Sequence, residues 1–124
     1  FILKQAEGYD TKLGQGGVNL SGGQKQRISI ARALIKKPHI LILDDSTSAV
    51  DVTTEKKIKE GLKKFSKDLV TIIISQKITS VIEADNILVL DDGEIVGLGS
   101  HDELMDGCSV YKDIFNSQIG KELI

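Results

Sequence analysis

From Ser21 onward, apolar residues recur at a helical period. Ile28, Ala31 and Ile35 form one stripe, joined by Ile30, Ala33 and Leu34, while Lys25, Ser29, Arg32 and Lys36 form the opposite polar face. Ser21 suits an N-cap, Lys36 and Lys37 suit the negative end of the helix dipole, and Pro38 stops the helix. The period then disappears. HILILDD (39–45) is an unbroken apolar run ending in two aspartates, the pattern of a parallel strand covered on both faces, and LVTIIIS (69–75) repeats it. A second helix is predicted over Val52–Ser66, with Ile58, Leu62 and Phe65 on one face. A short helix near Thr79–Glu83 leads into NILVLDDGEIVGLG, which reads as a hairpin turning at Asp92–Gly93. Two small helices are expected around His101–Met105 and Val110–Ser117, and residues 1–19 read as an apolar start followed by Gly-rich loop. Strand–helix–strand alternation points to an α/β layered fold with parallel core strands and a C-terminal hairpin.

Composition narrows the function. A chain of 124 residues is the size of one domain. Its net charge of −2 gives no global basic field, so nucleic acid is not an expected partner, and the lysines of 56–67 read as a solvated helix face. Cys108 is the only cysteine, which precludes an internal disulfide and fits a reducing compartment; beyond that it reads as incidental. No apolar run is long enough to cross a bilayer, and no signal peptide is visible. The first residues begin mid-pattern without a methionine, so we expect a piece of a longer chain.

Candidate chemistry begins at Ser21-Gly22-Gly23-Gln24, where a hydroxyl and successive backbone N–H groups open a helix and can bond the oxygens of an anion, with the dipole behind them. On its own such a turn reads as structural capping. The strand at 40–43 delivers Asp44 to its C-terminal edge, where ligands bind in open α/β sheets; a carboxylate there can hold Mg²⁺ through water. Ser48-Ala49-Val50-Asp51 turns the chain into the next helix, with Asp51 readable as an N-cap, and the strand ending at Ser75 is expected to present Gln76 at the same edge as Asp44. His39 and His101 read as structural, Asp91 and Asp92 as turn residues, and Arg27 and Arg32 as arginines lying along a helix flank or steadying it.

In order and spacing, LSGGQ at 20–24, ILILDD at 40–45, SAVD at 48–51 and a polar residue at 76 resemble the nucleotide-binding domains of ABC transporters. GYDTKLGQGGVNLSGGQKQRISIARAL and the tail GLGSHDELM…Y resemble the exporter branch in particular. The resemblance covers essentially the whole chain. It implies a P-loop NTPase-like fold, residues 1–37 being the end of a helical subdomain and 38–124 part of a RecA-like core. It implies ATP and Mg²⁺ as cofactors. Ser21, Gly22, Gly23, Gln24, Ser48, Ala49 and Asp51 would contact nucleotide, Asp44 would hold the metal, and Asp45 and Gln76 would be the catalytic positions. The family's phosphate cradle, GxxxxGK[ST], does not occur in these residues, so the chain is similar to the C-terminal part of the domain and is expected to be inactive alone. The resemblance further implies a second nucleotide-binding domain facing Ser21–Gln24 head to tail and a transmembrane domain, at the cytoplasmic side of the cell membrane.

Two positions depart from the family pattern. The residue after the metal aspartate is normally Glu and is here Asp45, one methylene shorter; the switch residue is normally His and is here Gln76, which donates a hydrogen bond but relays no proton. Beside an intact signature, this pair is similar to the degenerate half of a heterodimeric exporter, completing ATP on a non-identical partner. A non-hydrolytic regulatory module, a soluble ABC-type ATPase and an ATP-gated channel are the alternative readings. Without the cradle strand, 69–75 is expected to have an unpaired Ile-rich edge.

Overall fold

The computed structural model describes residues 1–65 and 68–119, which fold as two compact units divided between Ile74 and Ser75. In the first, three 3-10 turns (Ile2–Lys4, Gly8–Asp10, Gln15–Gly17) precede helix α1 (Gly22–Ile35), strand β1 (Ile40–Asp44), helix α2 (Val52–Phe65) and strand β2 (Val70–Ile74). The predicted second helix appears as Val52–Phe65, and the last position of the expectation, Ser66, falls outside the described residues. Strands β1 and β2 pair in parallel, Ile40 opposite Val70 through Asp44 opposite Ile74.

The core of this unit is Ile30, Leu41, Leu43 and Leu62, with Ala33, Leu34, Ile58, Leu69 and Ile73 packed against it. Two expectations change here. The inward stripe of α1 runs through Ile30, Ala33 and Leu34, whereas Ala31 and Ile35 face solvent. Moreover, the strands are covered on one face only. Leu41 and Leu43 are buried, but Ile40 and Ile42 are about 60% exposed, and Val70, Ile72 and Ile74 are exposed on the neighbouring strand. An unbroken apolar run says that both faces avoid water. The helices within this unit supply one layer, and one layer leaves the alternate residues bare.

In the second unit, helix α3 (Ile78–Val81) precedes strands β3 (Ile87–Asp91) and β4 (Glu94–Gly99), then helices α4 (His101–Gly107) and α5 (Ser109–Ile119). The antiparallel hairpin turns at Asp92 and Gly93, as expected, with φ of 45° and 83°; two successive left-handed residues match the twist of the strands they join. Ile87 and Val89 on the hairpin's inner face pack with Ile78, Leu104, Cys108 and Tyr111. Cys108 is therefore a core residue. The hydroxyl of Tyr111, whose side chain is essentially inaccessible, lies 2.9 Å from His101 Nδ1, and burial raises the phenol above its ordinary pKa. No helix among the described residues is long and apolar enough to cross a membrane.

Candidate functional site

Ser21 is the N-cap of α1 in an extended conformation, and its Oγ accepts the Gln24 N–H at 3.2 Å. In return Gln24 Oε1 accepts the Ser21 N–H at 2.9 Å, which closes a capping box. The Ser21 hydroxyl is an acceptor in this box, so its own proton remains to be donated elsewhere. Gly22 and Gly23 are the first two residues of the helix, and their N–H groups have no carbonyl within it to reach. Ser21 and Gly22 are exposed at this entrance.

Both glycines pack directly against Ala49, in the turn between β1 and α2. Gln26, one helical turn further along α1, fastens the same turn. Its Nε2 donates to the Asp45 carbonyl at 3.3 Å and to Ser48 Oγ at 3.1 Å, and its Oε1 accepts the Ala49 N–H at 3.0 Å. Ser48 adds two more bonds to the Asp45 carbonyl, from its N–H at 3.3 Å and its hydroxyl at 3.0 Å. Three groups thus hold one carbonyl, and Asp45 needs them. Its φ is 45°, in the left-handed region that costs a side-chain-bearing residue about a kcal/mol or more. Aspartate tolerates that region better than most residues.

Asp44 ends β1 opposite Ile74, and the Asp45 N–H continues the ladder to the Ile74 carbonyl at 3.0 Å. Both aspartates are exposed. A lone exposed carboxylate at a strand end suits Mg²⁺, which keeps most of its water shell and takes further oxygens from phosphate. Among the described residues no three His, Cys, Asp or Glu side chains cluster as a chelating set. Asp51 caps α2: Oδ1 accepts the Thr54 N–H at 2.8 Å and Oδ2 its hydroxyl at 2.7 Å. These bonds, the hydroxyl's first, hold the Asp51 carboxyl below its ordinary pKa, and Arg27 adds to the effect. Arg27 also donates from Nε to the Gly23 carbonyl at 3.3 Å and lies 4.8 Å over the Phe1 ring, so it steadies the helix start.

The structure therefore gathers Ser21, Gly22, Gly23, Gln24, Asp45, Ser48 and Ala49 around one contact, with Asp44 and Asp51 at its two ends along the chain. Gln76 is exposed and belongs to the second unit. Sequence reasoning missed Gln26. A signal was present: Gly22 and Gln26 are four apart on a helix and share a face, so whatever packs on the glycine is within reach of the amide.

Residues 2–48 match the ABC transporter family. The chain is 59% identical over 121 residues to the Bacillus subtilis (strain 168) protein named "Uncharacterized ABC transporter ATP-binding protein YfiB", covering 98% of this chain and 21% of that protein. It is 48% identical over 118 residues to "Putative multidrug export ATP-binding/permease protein YgaD" of the same organism, covering 95% and 20% respectively. Among solved structures, a bacterial Atm1-family ABC exporter with ATP bound superposes with a TM-score of 0.90 at 38% identity, over 94% of this chain and 21% of that one. The fold is that of the P-loop NTPases. Within that class the chain belongs to the ABC transporter ATP-binding domains and is homologous to those of exporters. It spans about a fifth of the length of these relatives.

Proposed function

We propose that the chain is part of the ATP-binding and ATP-hydrolysing subunit of an ABC exporter, and that Ser21–Gln24 complete an ATP site whose phosphate cradle belongs to a second, non-identical nucleotide-binding domain. The observation that carries this is the exposed entrance to α1: a serine hydroxyl with a proton to donate, two helix-start amides, and a rigid backing provided by Gln26 and Ala49. Amides at a helix start recognise phosphate, and their dipole adds to the attraction.

In this reading residues 1–37 close the helical subdomain and 38–124 belong to the core. ATP supplies the phosphoanhydride, and Mg²⁺ neutralises its charge. The Ser21 hydroxyl and the amides of Gly22 and Gly23 donate to phosphate oxygens in trans, while Gln24 keeps the cap closed. Asp44 would hold the Mg²⁺ of the chain's own site. The turn of Ser48, Ala49 and Asp51 faces the partner. Asp45 would orient water, but its carboxylate falls one methylene short of glutamate, and a displacement near 1 Å can cost about a hundredfold in rate. Gln76 donates to phosphate without sharing a proton. The chain's own site is consequently slow and its signature serves the fast one. Without a GxxxxGK[ST] cradle, these residues do not turn over ATP alone. The assembly works at the cytoplasmic side of a membrane through a transmembrane domain. The altered Asp45 and Gln76 equally favour a regulatory module that binds nucleotide without hydrolysing it at this site.

The test is made in the full-length protein with its partner. Ser21→Ala is expected to lower ATP turnover by about a hundredfold, as loss of one preorganised donor does elsewhere, and Asp45→Asn to leave most of it. The opposite ranking would reverse the assignment. Unchanged turnover in both variants would end it.

A further inference from the structure

We propose that Gln118, near the end of α5, is the positioning residue for Gln76. The proposal rests on the reading of Gln76 as the switch position. One carboxamide grips the chain on both sides of Lys77: Gln118 Nε2 donates to the Gln76 carbonyl at 2.8 Å, and Gln118 Oε1 accepts the Ile78 N–H at 2.9 Å. The partners lie 42 and 40 residues away in sequence, so no local turn produces these bonds. The donor and acceptor ends meet an acceptor and a donor respectively, which fixes the orientation of the amide.

The Ile78 N–H needs this bond. Ile78 is the first residue of α3, where an N–H has no carbonyl within its helix, and the N-cap Lys77 makes no side-chain cap bond. Gln118 takes the place of the cap from another helix. Its support is firm, because α5 sets Tyr111, Ile114, Phe115 and Ile119 against the core that includes Ile78. Fixing the carbonyl of residue 76 and the amide of residue 78 restrains the peptide planes on either side of Lys77. The first of these planes contains the Gln76 Cα, so Gln118 holds one of the two planes between which the Gln76 side chain leaves the backbone. Gln118 touches no reacting atom and acts only through Gln76.

The experiment uses the full-length protein and Gln118→Met, which keeps the length of the side chain and removes both bonds. Exchange of the Ile78 amide with solvent is expected to rise about tenfold. Gln76→His, on the reading above, raises ATP turnover about tenfold. Adding Gln118→Met is expected to cancel that gain with KM within about twofold, the pattern of a misplaced group rather than of lost binding. Gln118→Glu keeps the acceptor for Ile78 but loses the donor, so it should preserve Ile78 protection and still cancel the gain. Protection unchanged in Gln118→Met, or the gain retained, would overturn the proposal. If Gln76→His brings no gain, the slow-switch reading fails. The side-chain amide resonances of Gln76 then decide the role of Gln118: displaced by Gln118→Met they sustain it, and unmoved they end it.

Discussion

Gly23 lies so close to Ala49 that a Cβ in its place would meet the Ala49 carbonyl oxygen at 2.8 Å and Val50 Cγ1 at 3.2 Å. The obstacle is backbone of a turn that Gln26 and Ser48 already bind, so it cannot swing aside as a flexible side chain could. At Gly22 the corresponding approach, to Ala49 Cβ, is 3.3 Å. Two glycines that face a phosphate in the proposed assembly are thus also required by the packing behind them.

Gly23→Ala should therefore destabilise the protein by about 1–3 kcal/mol through overpacking, with Gly22→Ala costing less. Gly61→Ala is the control. Gly61 lies inside α2, where a Cβ meets nothing within 4 Å, so alanine should gain about 0.5–1 kcal/mol. Denaturant unfolding of the three variants checks the ranking.

Gln26→Ala removes three hydrogen bonds from the turn after Asp45. All are exposed to solvent, so the expected loss is about 1–2 kcal/mol rather than the sum of three buried bonds. Gln26→Ala and Ser48→Ala act on the same Asp45 carbonyl. Their effects should not add, and a double-mutant cycle in chemical denaturation measures the coupling; strict additivity would show that the left-handed Asp45 is held in some other way.

Asp51 makes the start of α2 sensitive to acid. Its folded pKa lies below the ordinary 3.8, because the ionised form accepts two bonds from Thr54. A depressed carboxylate stabilises the fold above the unfolded pKa, and that contribution is lost as pH falls from about 3.8 through the lower folded value. Glu103, bonded to the Ser100 N–H and hydroxyl, behaves the same way below 4.5. Melting temperatures followed from neutral pH to pH about 3 should fall for the parent protein. Asp51→Asn should be lower at neutral pH and fall less steeply.

The bare face of the two-stranded sheet, with Ile40, Ile42, Val70, Ile72 and Ile74 in two adjacent rows, is expected to make the isolated 124-residue chain associate. Among the described residues each of these strands pairs only with the other, so open edges add a second route to pairing. Sedimentation of the chain and of an Ile42→Lys, Ile72→Lys variant gives the answer: the parent should form higher species and the variant fewer. A monodisperse parent that melts cooperatively would refute this.

Among the described residues, the periods of the apolar positions placed each α-helix and strand within a few residues, though not the 3-10 turns of the first nineteen, because burial on one side of a helix or in a buried strand is a local demand written at each position. The turn at Asp92–Gly93 was equally plain, since its backbone angles favour those residue types. Ser21–Gln24, Asp44 and Ser48–Asp51 stood out as short runs at the ends of recognisable elements, but only the resemblance to ABC domains gave them, and Asp45 and Gln76, a chemical role. What no local pattern contained was the partner each side chain would find. Whether one or two layers cover β1 and β2, which face of α1 turns inward, that Gln26 fastens the Asp45 turn, and that Gln118 caps α3 from 40 residues away depend on contacts between elements distant in sequence. A hydrogen bond from one amide to another is chemically the same wherever the chain runs. Only the packing of the helices and strands determines which of the many possible partners comes within 3 Å.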